Sequence, residues 1–211
     1  MSTAPPLFRL KKLPRSFYLR PTLTIAGDLL GKYLCRRRGK QVLIGRIVEV
    51  EAYLGEKDPA SHAYRGRSRR NEVMFRKGGH LYVYFTYGMH FCSNVVTEKE
   101  GIGRAVLLRA VEPVGGVEVM VRNRRKGTVS LIDLTNGPAK LCQAFGIRRS
   151  ENGIDLCGSE IWIAKDVRAR KVIRSARSSR IGVSEGKQHR WRFYVRESPF
   201  VSPGKPAADN P

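Results

Sequence analysis

Residues 80–96 read HLYVYFTYGMHFCSNVV, two β-branched and aromatic runs joined across Gly88 and Met89. Aromatic and β-branched residues favour a pleated surface, and a glycine between the runs supplies the positive φ of a tight turn, so Leu81 to Val96 predicts a β-hairpin. Working outward, Val42 to Tyr53 is β-branched and broken by single polar residues, which predicts a strand, and Leu23 to Leu34 before it has helical apolar spacing. Ala105 to Val111 (AVLLRAV) reads as a short buried strand and Val114 to Arg125 as a helix. Another helix begins at NGPAK, with Asn136 or Gly137 as cap and Pro138 in its first turn. Strands at Ile161 to Ala164 and Trp191 to Arg196 complete a mixed, mainly antiparallel α+β pattern.

The chain has 211 residues, enough for one domain and cramped for two. A folded domain over 7–201 is expected, with loose ends at 1–6 and at 202–211, where SPGKPAADNP is rich in Pro and small polar residues. Hydrophobic residues make up 41% and charged residues 27%, a globular composition. No run approaches the roughly 18 apolar residues of a membrane span, and no secretory leader is evident, so a cytosolic or nucleoid protein is expected. Cys35, Cys92, Cys142 and Cys157 form no CxxC pair and read as reduced thiols, with neither a metal nor a cofactor suggested.

Charge carries the strongest functional signal. Forty Lys and Arg against 18 Asp and Glu give +22, and so large an excess self-repels unless a polyanion accepts it. Nucleic acid is favoured over a membrane surface, because no basic amphipathic helix with a broad apolar face is present. The clusters Arg36–Arg38, Arg65–Arg70, Arg122–Lys126 and Arg168–Arg180 alternate with hydrophobic segments, so a folded surface is expected to offer them to phosphates.

Three segments combine carboxylate, aromatic, amide and guanidinium: GRIVEVEAYLG (45–55), HLYVYFTYGMHFCSN (80–94) and AVLLRAVEP (105–113). Glu49, Glu51 and Tyr53 share one strand face, which alone reads as a solvated face; against that, a carboxylate facing a polyanion repels it and needs a reason to be there. Tyr82, Tyr84 and Phe91 read as ordinary sheet aromatics. Tyr87 sits beside the hairpin tip, where burial is hard, and so suggests a wedge between base pairs. His62, in DPASHAY, stays undecided on these grounds. NGPAK is explained by a capped helix start, although Lys140 and that N-terminus could receive a phosphate. Walker A, dinucleotide-binding and zinc-deaminase motifs are missing from the sequence. A non-catalytic nucleic-acid-binding module would share the basic surface, but has no use for Glu51 with Arg109 in a basic cleft. An endonuclease would want clustered metal-binding carboxylates, and the acidic residues are mostly dispersed.

Taken in order, LLGKYLCRR, GRIVEVEAYLG, RNEVMF, GGHLYVYFTYGMHFCSN, VLLRAVEP, NGPAKLCQA, SSRIGVS and RFYVRESPFVS resemble the 3-methyladenine DNA glycosylase family of the alkyladenine (methylpurine) type, over nearly the whole chain. The resemblance implies a single compact α+β domain, with a curved sheet, surrounding helices and a protruding hairpin. It implies a monomer acting on double-stranded DNA that contains damaged purines, with no metal or cofactor. Glu51 would be the water-activating base, with Arg109 and the carbonyl of Ile181 holding the water. Tyr53 would stack on one face of the flipped base, His62 and Tyr84 would close the other, and Asn94 would reject the amino group of guanine. Tyr87 would intercalate, with Met89 and His90 contacting the minor groove; His90 stands where the family often has tyrosine, which alters that second contact. No lysine takes the nucleophile's place in these motifs, so a monofunctional enzyme that leaves an abasic site is expected.

Overall fold

The structure is a computed structural model that describes residues 5–124, 129–169 and 173–206. Nine strands form one sheet: β1 (Leu10–Lys12), β2 (Tyr33–Arg38), β3 (Gln41–Tyr53), β4 (Leu81–Thr86), β5 (His90–Thr97), β6 (Arg104–Gly115), β7 (Ile161–Asp166), β8 (Ser175–Ser178) and β9 (Arg192–Val195). The helices are α1 (Arg15–Tyr18), α2 (Thr22–Leu29), α3 (Val117–Arg124) and α4 (Pro138–Phe145). The order β1-β7-β2-β3-β6-β5-β4 is antiparallel at every pairing among the described residues. Off this path, β9 pairs with β3 and β8. The chain is thus one compact α+β domain.

The hairpin forms as its alternation predicts, with Leu81 opposite Val95 and Thr86 opposite His90. Its turn is Tyr87–Gly88–Met89, and both Tyr87 (φ 49°) and Gly88 (φ 66°) are left-handed. Glycine adopts that region freely, whereas tyrosine does so at a conformational cost. On one face of β5, Phe91 and Val95 join the main core with Cys142 and Phe145 of α4 and Ile25 and Leu29 of α2. On the other face, Val96 packs with Tyr82, Ala105 and, from the segment between β3 and β4, Ala63, Val73 and Phe75.

Several boundaries differ from the sequence expectation. The helix expected over Leu23–Leu34 ends at Leu29, because Gly31 turns the chain at φ +74° and Leu34 enters β2, where both edges pair. The helical spacing there joins buried residues of two elements. Strand β6 runs on to Gly115 opposite Ile44, so α3 begins at Val117 rather than Val114; the expected end at Arg125 lies outside the described residues. Helix α4 starts as expected, with Gly137 as cap and Pro138 first.

Ser202 is not part of a loose end. Its backbone and hydroxyl both bond buried Glu49, at 2.6 and 2.8 Å, so the anchored chain extends past 201. The expected loose residues 1–4 and 207–211 lie outside the described residues. Three arginines of the basic clusters are also not surface charge: Arg36 is buried and bonded to Glu151 at 2.7 Å, Arg124 is buried against Gln143, and Arg180 is fully buried. Arg125, Lys126, Arg170 and Lys171 of those clusters lie outside the described residues.

Candidate active site

Two compensating bulges shape the centre of the sheet. Ile47 pairs with Val111 and Glu49 with Ala110, so Val48 is an extra residue on β3; Val50 then pairs with Leu108, so Arg109 is the extra residue on β6. A bulge re-aims side chains locally. Here Arg109 and Ala110 together stand opposite Glu49. Just beyond, one rung crosses five strands: Tyr82, Asn94, Leu107, Glu51 and Arg192.

Glu51 is fully buried and surrounded by donors. Its Oε1 accepts the Ile181 N–H at 2.8 Å and lies 3.4 Å from Arg109 Nη1, while its Oε2 accepts the Tyr53 hydroxyl at 3.0 Å. Glu49 is equally buried and accepts from Arg109 Nε (3.0 Å), Arg192 Nε (2.7 Å) and Ser202. The solvated-face reading of this strand is therefore overturned: both carboxylates are enclosed and compensated, as buried charge requires. Burial acts against the Arg109 charge, but Glu51 and Glu49 outweigh it and raise its pKa. Burial, and then Glu51 itself, raise the Tyr53 phenol well above its ordinary value, so Tyr53 is the donor of that hydrogen bond.

Arg180, the residue before Ile181, ties this cluster to its neighbours. It grips Asp58 through two hydrogen bonds of 2.6 and 2.8 Å and donates to the Ala52 carbonyl at 3.1 Å. Its guanidinium lies 4.7 Å from the Tyr53 ring centroid and 5.1 Å from that of Trp191. Asp58 in turn accepts the N–H groups of Leu54 and Ala60, fixing the loop that leads to His62.

His62 stands edge-on to Tyr84, with centroids 4.5 Å apart, and its Nδ1 is 3.0 Å from the Tyr82 hydroxyl. Asn71 holds the His62 carbonyl at 2.8 Å. Burial, with the Arg70 charge, lowers the His62 pKa, so its ring is neutral at pH 7. The Asn94 amide donates to the Tyr82 carbonyl at 3.2 Å. Cys92 lies opposite Tyr84, and burial raises both groups.

Of the residues expected from the sequence, Glu51, Tyr53, Arg109 and Ile181 thus meet directly. His62 and Tyr84 form a second contacting group, with Asn94 joined through Tyr82. Tyr87, Met89 and His90 stand apart at the hairpin end. Tyr87 is 85% and Met89 71% exposed, and Tyr87 is five residues, roughly 16 Å, along the strand direction from the Tyr82–Asn94 rung. Sequence reasoning missed Glu49 as a charge centre, as well as Arg180, Asp58, Arg192, Ser202 and Cys92. Tyr82 it read as plain sheet packing. Neither Glu49, one of two glutamates in IVEVEAY, nor Arg180, in the Arg- and Ser-rich RSARSSRIG, carries a local signal that separates it from its neighbours.

The sequence pattern of the methylpurine-DNA glycosylase family matches residues 16–199. A protein of Alkaliphilus oremlandii is 44% identical over 199 residues, covering 90% of this chain and 98% of its own. One from Chlorobium phaeovibrioides is 47% identical, covering 94% of this chain and 100% of its own, and one from Carboxydothermus hydrogenoformans 48%, covering 90% and 98%. All three carry the provisional name 3-methyladenine DNA glycosylase. No helix among the described residues is long and apolar enough to cross a membrane. The chain belongs to the methylpurine-DNA glycosylase family of repair enzymes, which hydrolyse N-glycosyl bonds in DNA.

Proposed function

We propose that this protein, acting as a monomer, rotates an alkylated purine of the 3-methyladenine type out of duplex DNA and hydrolyses its N-glycosidic bond with a water activated by Glu51. The observation that carries this reading is the state of the Glu51 carboxylate: fully buried in a +22 chain, and engaged by Ile181, Arg109 and Tyr53. A carboxylate offers about four lone-pair directions, so three donors leave one to receive the proton of a water. Arg109 and the Ile181 carbonyl are the groups that hold that water. As the glycosidic bond breaks, the sugar gains oxocarbenium character, which the Glu51 charge stabilises.

The base is held mainly by ring faces. Tyr53 has Arg180 on one side, 4.7 Å from its centroid, and offers its other side to the base. His62 and Tyr84 close the pocket opposite. An alkylated, electron-poor purine stacks favourably between such rings, and a neutral His62 adds no repulsion toward a cationic one. Asn94, fixed by the Tyr82 carbonyl, is the group set against the 2-amino substituent of guanine. Extrusion costs a few kcal/mol, offset by Tyr87 entering the gap, with Met89 and His90 beside it in the minor groove. With no lysine nucleophile assigned, the product is an abasic site in an uncut strand.

Duplexes each carrying one defined modified purine test this reading. Free purine is expected, with strand cleavage only after alkali. Lesion binding without release of any purine would favour the passive nucleic-acid-binding module instead.

A further inference from the structure

We infer that the groove between α4 and the turn end of the hairpin seats the backbone of the DNA strand opposite the lesion. This assignment rests on the wedge reading of Tyr87. The groove encloses about 710 Å³ and lies away from Glu51. Arg38 at the end of β2, Arg124 of α3, Lys140 of α4 and Arg148 beyond α4 line it, together with His90, and no acidic side chain does. These cations come from four separate segments, so convergence in the fold, rather than a charge run, brings them together. Lys140 is paired with Asp133 at 3.1 Å and Arg124 is buried against Gln143, so Arg38 and Arg148 carry the exposed charge of the groove.

The hairpin is a blade with two unlike faces. One carries Tyr82 and Asn94, on the same rung as Glu51. The other carries Phe91 and Val95, packed in one cluster with Cys142 of α4. A blade inserted in the minor groove has one DNA strand along each face. The strand that delivers its base to Glu51 must lie along the first face. The complementary strand then lies along the second, over α4, where the exposed Arg38 and Arg148 offer positive charge to its phosphates. His90, which stands where the family often has tyrosine, also lines this groove.

The test uses a duplex with one tetrahydrofuran abasic site, which sets the register and cannot be cleaved. Neutral methylphosphonates replace phosphates in one strand or the other. For wild type, substitution in either strand should flatten the plot of log affinity against log salt, by about 0.9 per lost contact. For the double variant Arg38→Gln/Arg148→Gln, substitution in the opposite strand should have no further effect, while substitution in the lesion strand still weakens binding. The double variant Arg38→Lys/Arg148→Lys should retain the wild-type slope, and unchanged melting of each variant separates a lost contact from a lost fold. The assignment is overturned if opposite-strand methylphosphonates weaken the Gln variant as much as wild type, or if that variant binds the unmodified duplex with wild-type affinity and slope. Failure of the wedge reading shows separately, as a Tyr87→Ala variant that binds the same duplex with wild-type affinity.

Discussion

Arg180 and Asp58 form a bidentate ion pair in which neither side chain reaches solvent. That pair joins three pieces of the site. Through Arg180 it positions Ile181 and covers Tyr53, and through Asp58 it holds the chain between Leu54 and Ala60.

Removing one member should cost more than removing an ordinary surface pair. In Asp58→Ala the guanidinium stays buried without its counter-charge, a situation that costs about 3–5 kcal/mol. The melting temperature should fall by roughly 10 °C at this chain length. Thermal unfolding of the variant beside wild type checks this, and a shift within 2 °C would mean that the pair is not structurally needed.

Glu51→Gln should abolish turnover while sparing the fold. The amide oxygen can still accept from Ile181, and the amide nitrogen, placed where Oε2 was, can donate to the Tyr53 oxygen in place of the present bond. What disappears is the proton acceptor and the negative charge. A loss of at least 10²–10⁴ in single-turnover base release is expected, with affinity for a lesion duplex retained. Near wild-type excision by the variant would remove Glu51 from the mechanism.

Much of the scaffold was legible because its signal is local. The alternation in 81–96 and the glycine between the runs specify the hairpin, and GPAK specifies the start of α4. The site was legible only in part. Glu49 looks like a solvated strand residue because its partners Arg109, Arg192 and Ser202 lie 60, 143 and 153 positions away, where no periodicity reaches. Arg36 and Arg180 likewise look like members of surface clusters until Glu151 and Asp58 arrive from distant segments. The paired bulges at Val48 and Arg109 leave no mark on hydrophobic alternation either, although they decide where the Arg109 side chain stands.

Tyr87→Ala should leave stability almost unchanged, since the side chain is exposed and packs on no core cluster among the described residues. Replacing a left-handed tyrosine by alanine does not relieve the backbone, so only the ring is lost. Without it, a few kcal/mol of unstacking is no longer offset, and affinity for a lesion duplex should fall roughly tenfold to a hundredfold. Equilibrium binding measured together with thermal unfolding separates the two effects. Wild-type affinity in the variant would refute the wedge.

The last expectation concerns pH and follows from His62, whose pKa burial and the Arg70 charge hold below the usual value of 6.5. In the unfolded chain this histidine protonates first as pH falls. Between the ordinary and the lowered value the unfolded state therefore binds more protons, so the contribution of His62 to stability is complete above about pH 6.5 and is lost as pH falls through the folded pKa. Binding should change in the same direction. A protonated imidazole beside Tyr84 repels a cationic alkylpurine, so affinity for such a lesion should decline on acidification, while affinity for a neutral lesion should decline less. His62→Gln keeps a polar group within reach of the Tyr82 hydroxyl but cannot titrate, and its pH profile should be flatter for both stability and lesion affinity. Superimposable wild-type and variant profiles between pH 5 and 8 would show that His62 is not the titrating group.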